Sequence, residues 1–210
     1  MNEILSLKEN PKVMLHACCA PCSSFCLLTL RGYADIGVYF YNPNITSEDE
    51  YELRFAEEKR LIDIYNNRPD YMLKEDCRQV NIKGFDYVNH NIKVFDVPYE
   101  SDIYLEAVRG YEKCLERGER CSICFDLRLR KTAKEAKRLG YDYFATTLTL
   151  SPLKNADIIN AIGEKIAGEV DIKYLPTDFK KKNGYKTSIE LSKEFNLYRQ
   201  NFCGCAFSKH

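Results

Sequence analysis

The chain carries no excess of charge of either sign: 31 basic and 31 acidic side chains cancel over 210 residues. No global field therefore draws the protein to nucleic acid or an anionic membrane, and any such contact has to come from a local patch. Long apolar runs are missing as well; nothing approaches the ~20 residues a membrane-spanning helix needs. The opening residues, MNEILSLKENPKV, contain two glutamates and no extended apolar stretch. That excludes a secretory signal and makes the cytoplasm the expected compartment. Repeats and low-complexity tracts are absent. So is a glycine-rich phosphate loop after the first predicted strand, where CCAPCSS stands instead. Pro21 and the thiols leave few free amides there for a pyrophosphate, which argues against an ATP requirement.

Cysteine, by contrast, is plentiful. There are ten, at positions 18, 19, 22, 26, 77, 114, 121, 124, 203 and 205. Seven fall into three tight groups: C18-C19-x-x-C22, C121-x-x-C124 and C203-x-C205. Cytosolic thiols stay reduced, so the groups point to metal ligation or thiol chemistry rather than to disulfides. Adjacent cysteines also bridge each other only with strain, so Cys18 and Cys19 must look outward for partners. Cys26, Cys77 and Cys114 have no close partner outside their own elements and read as packed residues. A structural zinc takes four ligands, usually from two C-x-x-C-like knuckles, a spacing that the Cys-Cys and Cys-x-Cys pairs suit poorly. A cubane iron–sulfur cluster also takes four, which leaves three thiols for one further metal with an open position. Cys22 precedes a predicted Ser-capped helix and Cys121 and Cys124 open another, where the helix dipole favours thiolate.

Strands and helices alternate along the chain. KVMLHA (12–17), IGVYFYN (36–42), VFDVPY (94–99), DYFATTLTL (142–150) and DIKYLP (171–176) read as strands. Between them, helices are expected after CCAPC with Ser23 or Ser24 as N-cap, and over 46–66 with a Ser47/Glu50 capping box. Others are expected from Ser101 to about Leu115, over 121–140 and 156–170, and around SIELSKEF. Residues 67–92 are polar and mixed in period and read as an insertion in a single domain spanning 1–210. The alternation implies parallel βαβ units and a three-layer α/β/α fold with a mainly parallel sheet. Ligands in such sheets bind beyond the carboxyl ends of the strands. CCAPC, TTLTLSPLK and DFKKKNGYK each follow a strand, so three chemically unusual segments are expected at one edge.

The strings LHACCAPCSS, RCSICFDLRL, DYFATTLTLSPLKN, DFKKKNGYKTSIELSKEF and LYRQNFCGCAFS resemble epoxyqueuosine reductase of the QueH family, through residues 12–66 and 93–208. Residues 67–92 look longer than that family's usual short link. The resemblance implies a Rossmann-like fold related to the adenine-nucleotide α-hydrolases, a 4Fe–4S cluster with an adjacent mononuclear iron, and a cobalamin-independent oxidoreductase. It also implies the last step of queuosine biosynthesis, in which epoxyqueuosine at the wobble position of tRNA loses its epoxide oxygen. The metal-binding positions it implies are Cys18, Cys19, Cys121, Cys124, Cys203 and Cys205, to which proximity adds Cys22. One partition gives the cluster Cys19, Cys121, Cys124 and one of Cys203 or Cys205, and the second iron Cys18, Cys22 and the remaining thiol.

Epoxide removal needs two electrons from an external donor, a Lewis acid on the oxygen, and protons to release it as water. His16, just before the cysteine pair, is the candidate proton donor or hydrogen-bonding support. Asp126 and Arg128, within a helical turn of Cys124, are candidates for ordering ligands or substrate. A neutral protein acting on tRNA needs a local cationic surface, and basic residues interleaved with aromatics suit one. Lys180, Lys181 and Lys182, with Tyr185, Arg199 and Lys154, are the candidate tRNA contacts. Two other readings are an ATP-dependent tRNA-modifying enzyme of related fold and a zinc-binding RNA adaptor.

Overall fold

Residues 12–16, KVMLH, form the central strand β1, with all but Lys12 buried. Val13 and Leu15 face one apolar cluster and Met14 the other, as expected of a strand covered on both faces. In the computed structural model, which describes residues 11–68, 71 and 91–208, β1 lies between β2 (Asp35–Tyr39) and β4 (Tyr143–Thr146). Strands β3 (Lys93–Phe95) and β5 (Lys173–Tyr174) form the edges, in the order β3-β2-β1-β4-β5. Every pairing is parallel.

Helices cover both faces. Helix α1 (Ala20–Leu30), α2 (Glu48–Asn66) and α6 (Gly184–Glu194) close one side, through Leu27, Leu30, Leu61, Tyr65 and Leu191. Helices α4 (Glu119–Arg138) and α5 (Ala156–Val170) close the other, through Phe125, Leu129, Ala133, Ile159 and Ile166. A short helix α3 (Ser101–Ala107) adds Tyr104 and Val108 to a small cluster with Cys124 and Cys205. The three-layer parallel α/β fold expected from the strand–helix alternation is therefore present. No described helix is long and apolar enough to cross a membrane.

Several boundaries differ from the sequence reading, for local reasons. Helix α1 begins at Ala20, with Pro21 in its first turn and Cys19 in the cap position. A proline there needs no amide partner and presets φ, so Cys22 lies inside the helix rather than ahead of it. Ser47 is the N-cap of α2, but its side chain makes no capping bond. Glu50 is drawn off instead, accepting 2.6 Å from Arg54 Nε and 3.2 Å from the Tyr198 hydroxyl. Helix α3 stops at Ala107, well before Leu115, and Gly110 at φ 87° turns the chain into a loop. Strand β4 ends at Thr146 because Thr147–Leu150 coils into a 3₁₀ turn, with Thr146 Oγ1 accepting from the Leu148 amide.

At the edge next to β3, the Asn66 side chain donates to the Ile92 carbonyl at 3.0 Å and accepts from its amide at 2.9 Å. The side chain of Asn66 thus ties the end of α2 to the residue that leads into β3. Most of the stretch between, with Cys77, lies outside the described residues.

Candidate metal centre

The order of the strands reverses between β1 and β4, and their carboxyl ends align, His16 opposite Tyr39 on one side and Thr146 on the other. Such a switch point leaves a crevice above the sheet. Here it opens into a cavity of about 690 Å³, and all seven clustered cysteines line it. Three routes bring them there. The turn after β1 delivers Cys18, Cys19 and Cys22; the first turns of α4 deliver Cys121 and Cys124; the C-terminal segment delivers Cys203 and Cys205.

The first group is the tightest. The sulfurs of Cys18, Cys19 and Cys22 lie within 4.8 Å of one another, with Cys18 and Cys19 Sγ 3.8 Å apart. Around one tetrahedral ion with metal–sulfur bonds of ~2.3 Å, sulfurs sit about 3.8 Å apart, so three thiols already approach that spacing. None of the described cysteines is in a disulfide. Thr147 fixes the turn from the neighbouring strand: its Oγ1 accepts from the Cys18 amide at 3.1 Å and donates to Cys18 Sγ at 3.3 Å. The Cys22 and Ser23 amides are donated to the Cys19 carbonyl. The loop spends its amides internally rather than on a phosphate cradle.

The C-terminal group is docked by residues that the sequence did not single out. Arg54 Nη1 donates to the Cys203 carbonyl at 3.1 Å and Nη2 to that of Phe202 at 3.4 Å, with the guanidinium over the Phe202 ring. Asn44, in the turn after β2, donates to the Cys203 carbonyl and sulfur, and the Thr46 amide to the Gly204 carbonyl. Gly204 sits at φ +105°, and a Cβ there would lie 2.9 Å from Ile45 and 3.2 Å from Arg54. Gly204→Ala is expected to displace the C-G-C turn at a cost of roughly 1–3 kcal/mol. The thermal unfolding temperature should fall accordingly; an unchanged melt would show that the turn tolerates a side chain.

Two cations face the sulfurs. Arg128 is buried, with Nη1 3.8 Å from Cys124 Sγ, Nε donating to His16 Nε2 at 3.2 Å and Nη2 donating to Asn42 Oδ1 at 2.5 Å. No carboxylate is among these partners. Lys154 lines the cavity, and although burial opposes its charge, Cys203, Cys18 and Cys22 hold its ammonium above the usual value. In return, hydrogen bonds from Cys19 and Cys22 keep the Cys18 thiol well below its ordinary range. Cys203 is pulled down to about 5 by a hydrogen bond from Cys205, with Lys154 and Arg128 adding attraction. Cys19 is pushed up to about 12 by its bond to Cys18, and burial raises Cys124 to about 11.

The other candidates divide. Tyr185, Arg199 and Lys154 line the cavity, whereas Lys180, Lys181 and Lys182 do not. Lys180 and Lys181 instead reach Asp178, at 2.8 and 3.5 Å. His16 is fully buried behind the wall, its Nδ1 2.9 Å from Thr146 Oγ1. Burial and the adjacent Arg128 charge lower it to about 3, so the ring is neutral. Its Nε2 sits between the Arg128 Nε–H, which only donates, at 3.2 Å and the Tyr41 carbonyl, which only accepts, at 3.1 Å. Asp126 pairs with Arg130 at 2.9 Å, away from the thiols. Cys26 is buried in the core and Cys114 is half-buried off the cavity.

Among the charged residues on the wall, Arg54, Arg117, Arg128, Lys154 and Arg199 stand against the single carboxylate of Glu116. A protein of zero net charge thus concentrates positive charge around its cysteines. The fold and this cavity define the class: a Rossmann-like α/β protein with a thiol-rich, cation-walled centre at the switch point of its sheet. The family model described as epoxyqueuosine reductase QueH matches residues 13–210. Proteins named epoxyqueuosine reductase QueH are similar over nearly the whole chain. That of Streptococcus pyogenes serotype M1 is 40% identical over 198 residues, 94% of this chain and 70% of that protein. That of Staphylococcus epidermidis is 39% identical, over 95% of this chain and 77% of its own length. That of Thermotoga maritima is 34% identical, over 93% and 89%. The chain belongs to the epoxyqueuosine reductase QueH family.

Proposed function

We propose that the protein reduces epoxyqueuosine at the wobble position of tRNA to queuosine. The epoxide oxygen leaves as water, with two electrons from an external one-electron donor and two protons. The observation that carries the reading is the convergence of seven reduced cysteines on one cavity whose buried arginine has no carboxylate partner among the described residues. A buried charge of that kind requires a counter-charge, and the lowered thiols of Cys18 and Cys203 supply it.

The donor set fits the metals the family resemblance implies. Cys18, Cys19 and Cys22 have the separation of ligands to one ion. Cys121, Cys124, Cys203 and Cys205 then make up the four a cubane needs. This revises the sequence-based partition by giving Cys19 to the single ion. When bound, such a pair of centres supplies electrons singly and a Lewis acid for the epoxide oxygen.

The chain's own residues supply the rest. Arg128 and Lys154 balance the thiolates, and His16 holds the guanidinium in place rather than exchanging protons with the cavity. Lys154 Nζ is our candidate to protonate the departing oxygen, since its ammonium lines the cavity and the thiols keep it charged. Arg117 and Arg199, both exposed on the wall, suit phosphates of the anticodon loop.

Anaerobically reconstituted protein, incubated with epoxyqueuosine-containing tRNA and a low-potential reductant, should yield queuosine on nucleoside analysis without ATP. About five irons per chain are expected. Full iron loading with no conversion, or conversion only with ATP, would overturn the reading.

A further inference from the structure

Among the described residues, large apolar side chains stand exposed at seven positions, and three of them lie together on the mouth of the cysteine cavity. These are Leu153, Ile158 and Tyr185, exposed by 56, 41 and 37%. Exposed Pro152 joins them on the same wall. Single exposed leucines are ordinary, but a contiguous group at the rim of a functional cavity marks a contact surface.

The rim is built rather than loose. Residues 151–154 form a turn in which the Lys154 amide donates to the Ser151 carbonyl and the Leu153 amide to Ser151 Oγ. Asn155 then caps α5, accepting from the Asp157 and Ile158 amides. The turn sends neighbouring side chains opposite ways, Lys154 inward to the sulfurs and Leu153 outward to solvent. Tyr185 reaches the same wall from the first turn of α6.

We propose that Pro152, Leu153, Ile158 and Tyr185 form a stacking rim for the unpaired nucleobase beside the modified one in the anticodon loop. The inference rests on the tRNA reading above and adds the part of the substrate that the cavity leaves outside. A cavity of about 690 Å³ has room for one modified nucleoside. With that nucleoside inserted, its neighbour in the chain crosses the mouth. An apolar and aromatic ledge suits the flat face of any base, and the cations that line the same cavity suit the intervening phosphate. Charge complementarity and continuity with the substrate cavity thus select RNA as the occupant.

The test uses the iron-loaded full chain and an anticodon stem-loop RNA with 2-aminopurine next to the wobble nucleotide. Binding should quench the probe as it stacks. Leu153→Ser and Tyr185→Ala should each weaken binding roughly ten- to a hundred-fold and abolish the quench, with iron content as the check on folding, while Tyr185→Phe keeps both. A stem-loop abasic at the probe position should bind wild type and variants alike. Equal affinity of the variants for the intact loop, or an unquenched probe in the wild-type complex, would overturn the rim. Quenching without turnover of epoxyqueuosine tRNA would uphold the rim and count against the proposed reaction instead.

Discussion

Arg128→Met is expected to weaken metal retention at the proposed centre and the proposed reduction together. Methionine fills much the same space, so the fold loses little packing, but the only buried cation in contact with Cys124 is gone from the described site. Burial holds the Cys124 thiol protonated, so this contact is not itself an ion pair, and the charge of the guanidinium acts on the thiols that are lowered. The thiolate character of Cys203 and Cys18 depends in part on this guanidinium. Groups that hold metal ligands in place commonly change metal affinity by about 10- to 100-fold, and an effect of that size is expected in iron retained after desalting. Arg128→Lys keeps the charge but loses the fork that reaches His16 and Asn42 at once, so it should fall between. His16→Gln removes one acceptor and should be milder still. Iron and sulfide analysis with nucleoside assays would check the series; an Arg128→Met protein with full iron and normal turnover would show that the arginine is only packed.

Much of this site was legible in the sequence because its chemistry is concentrated in short motifs at strand ends. Cys18, Cys19 and Cys22, Cys121 and Cys124, and Cys203 and Cys205 were found by spacing alone. The alternation of strands and helices was enough to bring CCAPC to the ligand edge of the sheet, because parallel topology leaves few other places for post-strand loops, but it did not place Cys121 and Cys124 or the C-terminal pair there. What sequence could not show was which charged residues face inward. Arg54 sits in a helix so rich in Glu, Lys and Arg that its inward turn carries no periodic signal, yet it docks the C-terminal thiols. Lys180 and Lys181 form the most conspicuous basic run, and Asp178, two and three residues away, takes both. Asn42 reads as the end of the second strand, which instead stops at Tyr39, and Asn44 stands out in no motif. Only the register of β2 against β1 sets them over the site, Asn42 reaching the Ala17 carbonyl at 2.8 Å. Pairings between residues more than a hundred positions apart have no local trace.

The same blindness hid Glu58, and here the expected effect is on stability. Its charged-looking neighbourhood in α2 suggests a solvated face, yet the side chain is fully buried and, among the described residues, neither carboxyl oxygen has a well-formed hydrogen bond, the Ser23 hydroxyl giving only weak support. Ser23 and Cys26 of α1 face it, with Cys18 beyond and Glu57 beside it. Burial pushes its carboxyl up to about 8 from an ordinary 4.5. Below about pH 4.5 both folded and unfolded chains keep this proton, and the full stability is present. Between about 4.5 and 8 the unfolded chain ionises while the folded one does not, so unfolding releases a proton and stability falls as pH rises. The slope approaches 1.36 kcal/mol per pH unit, and the accumulated loss near pH 8 is about 4 kcal/mol. Glu58→Gln cannot ionise and should remove this decline. For a chain of this size that corresponds to a melting temperature about 10 °C higher at pH 8, with little difference at pH 4.5. Anaerobic thermal melts of both proteins across that range, at matched iron content, would measure it, and parallel profiles would refute it. The direction also fits the site above. An ionised Glu58 would set a second negative charge near the lowered Cys18 thiol, so holding this acid neutral spares Cys18 a competitor for the charge of Arg128 and Lys154.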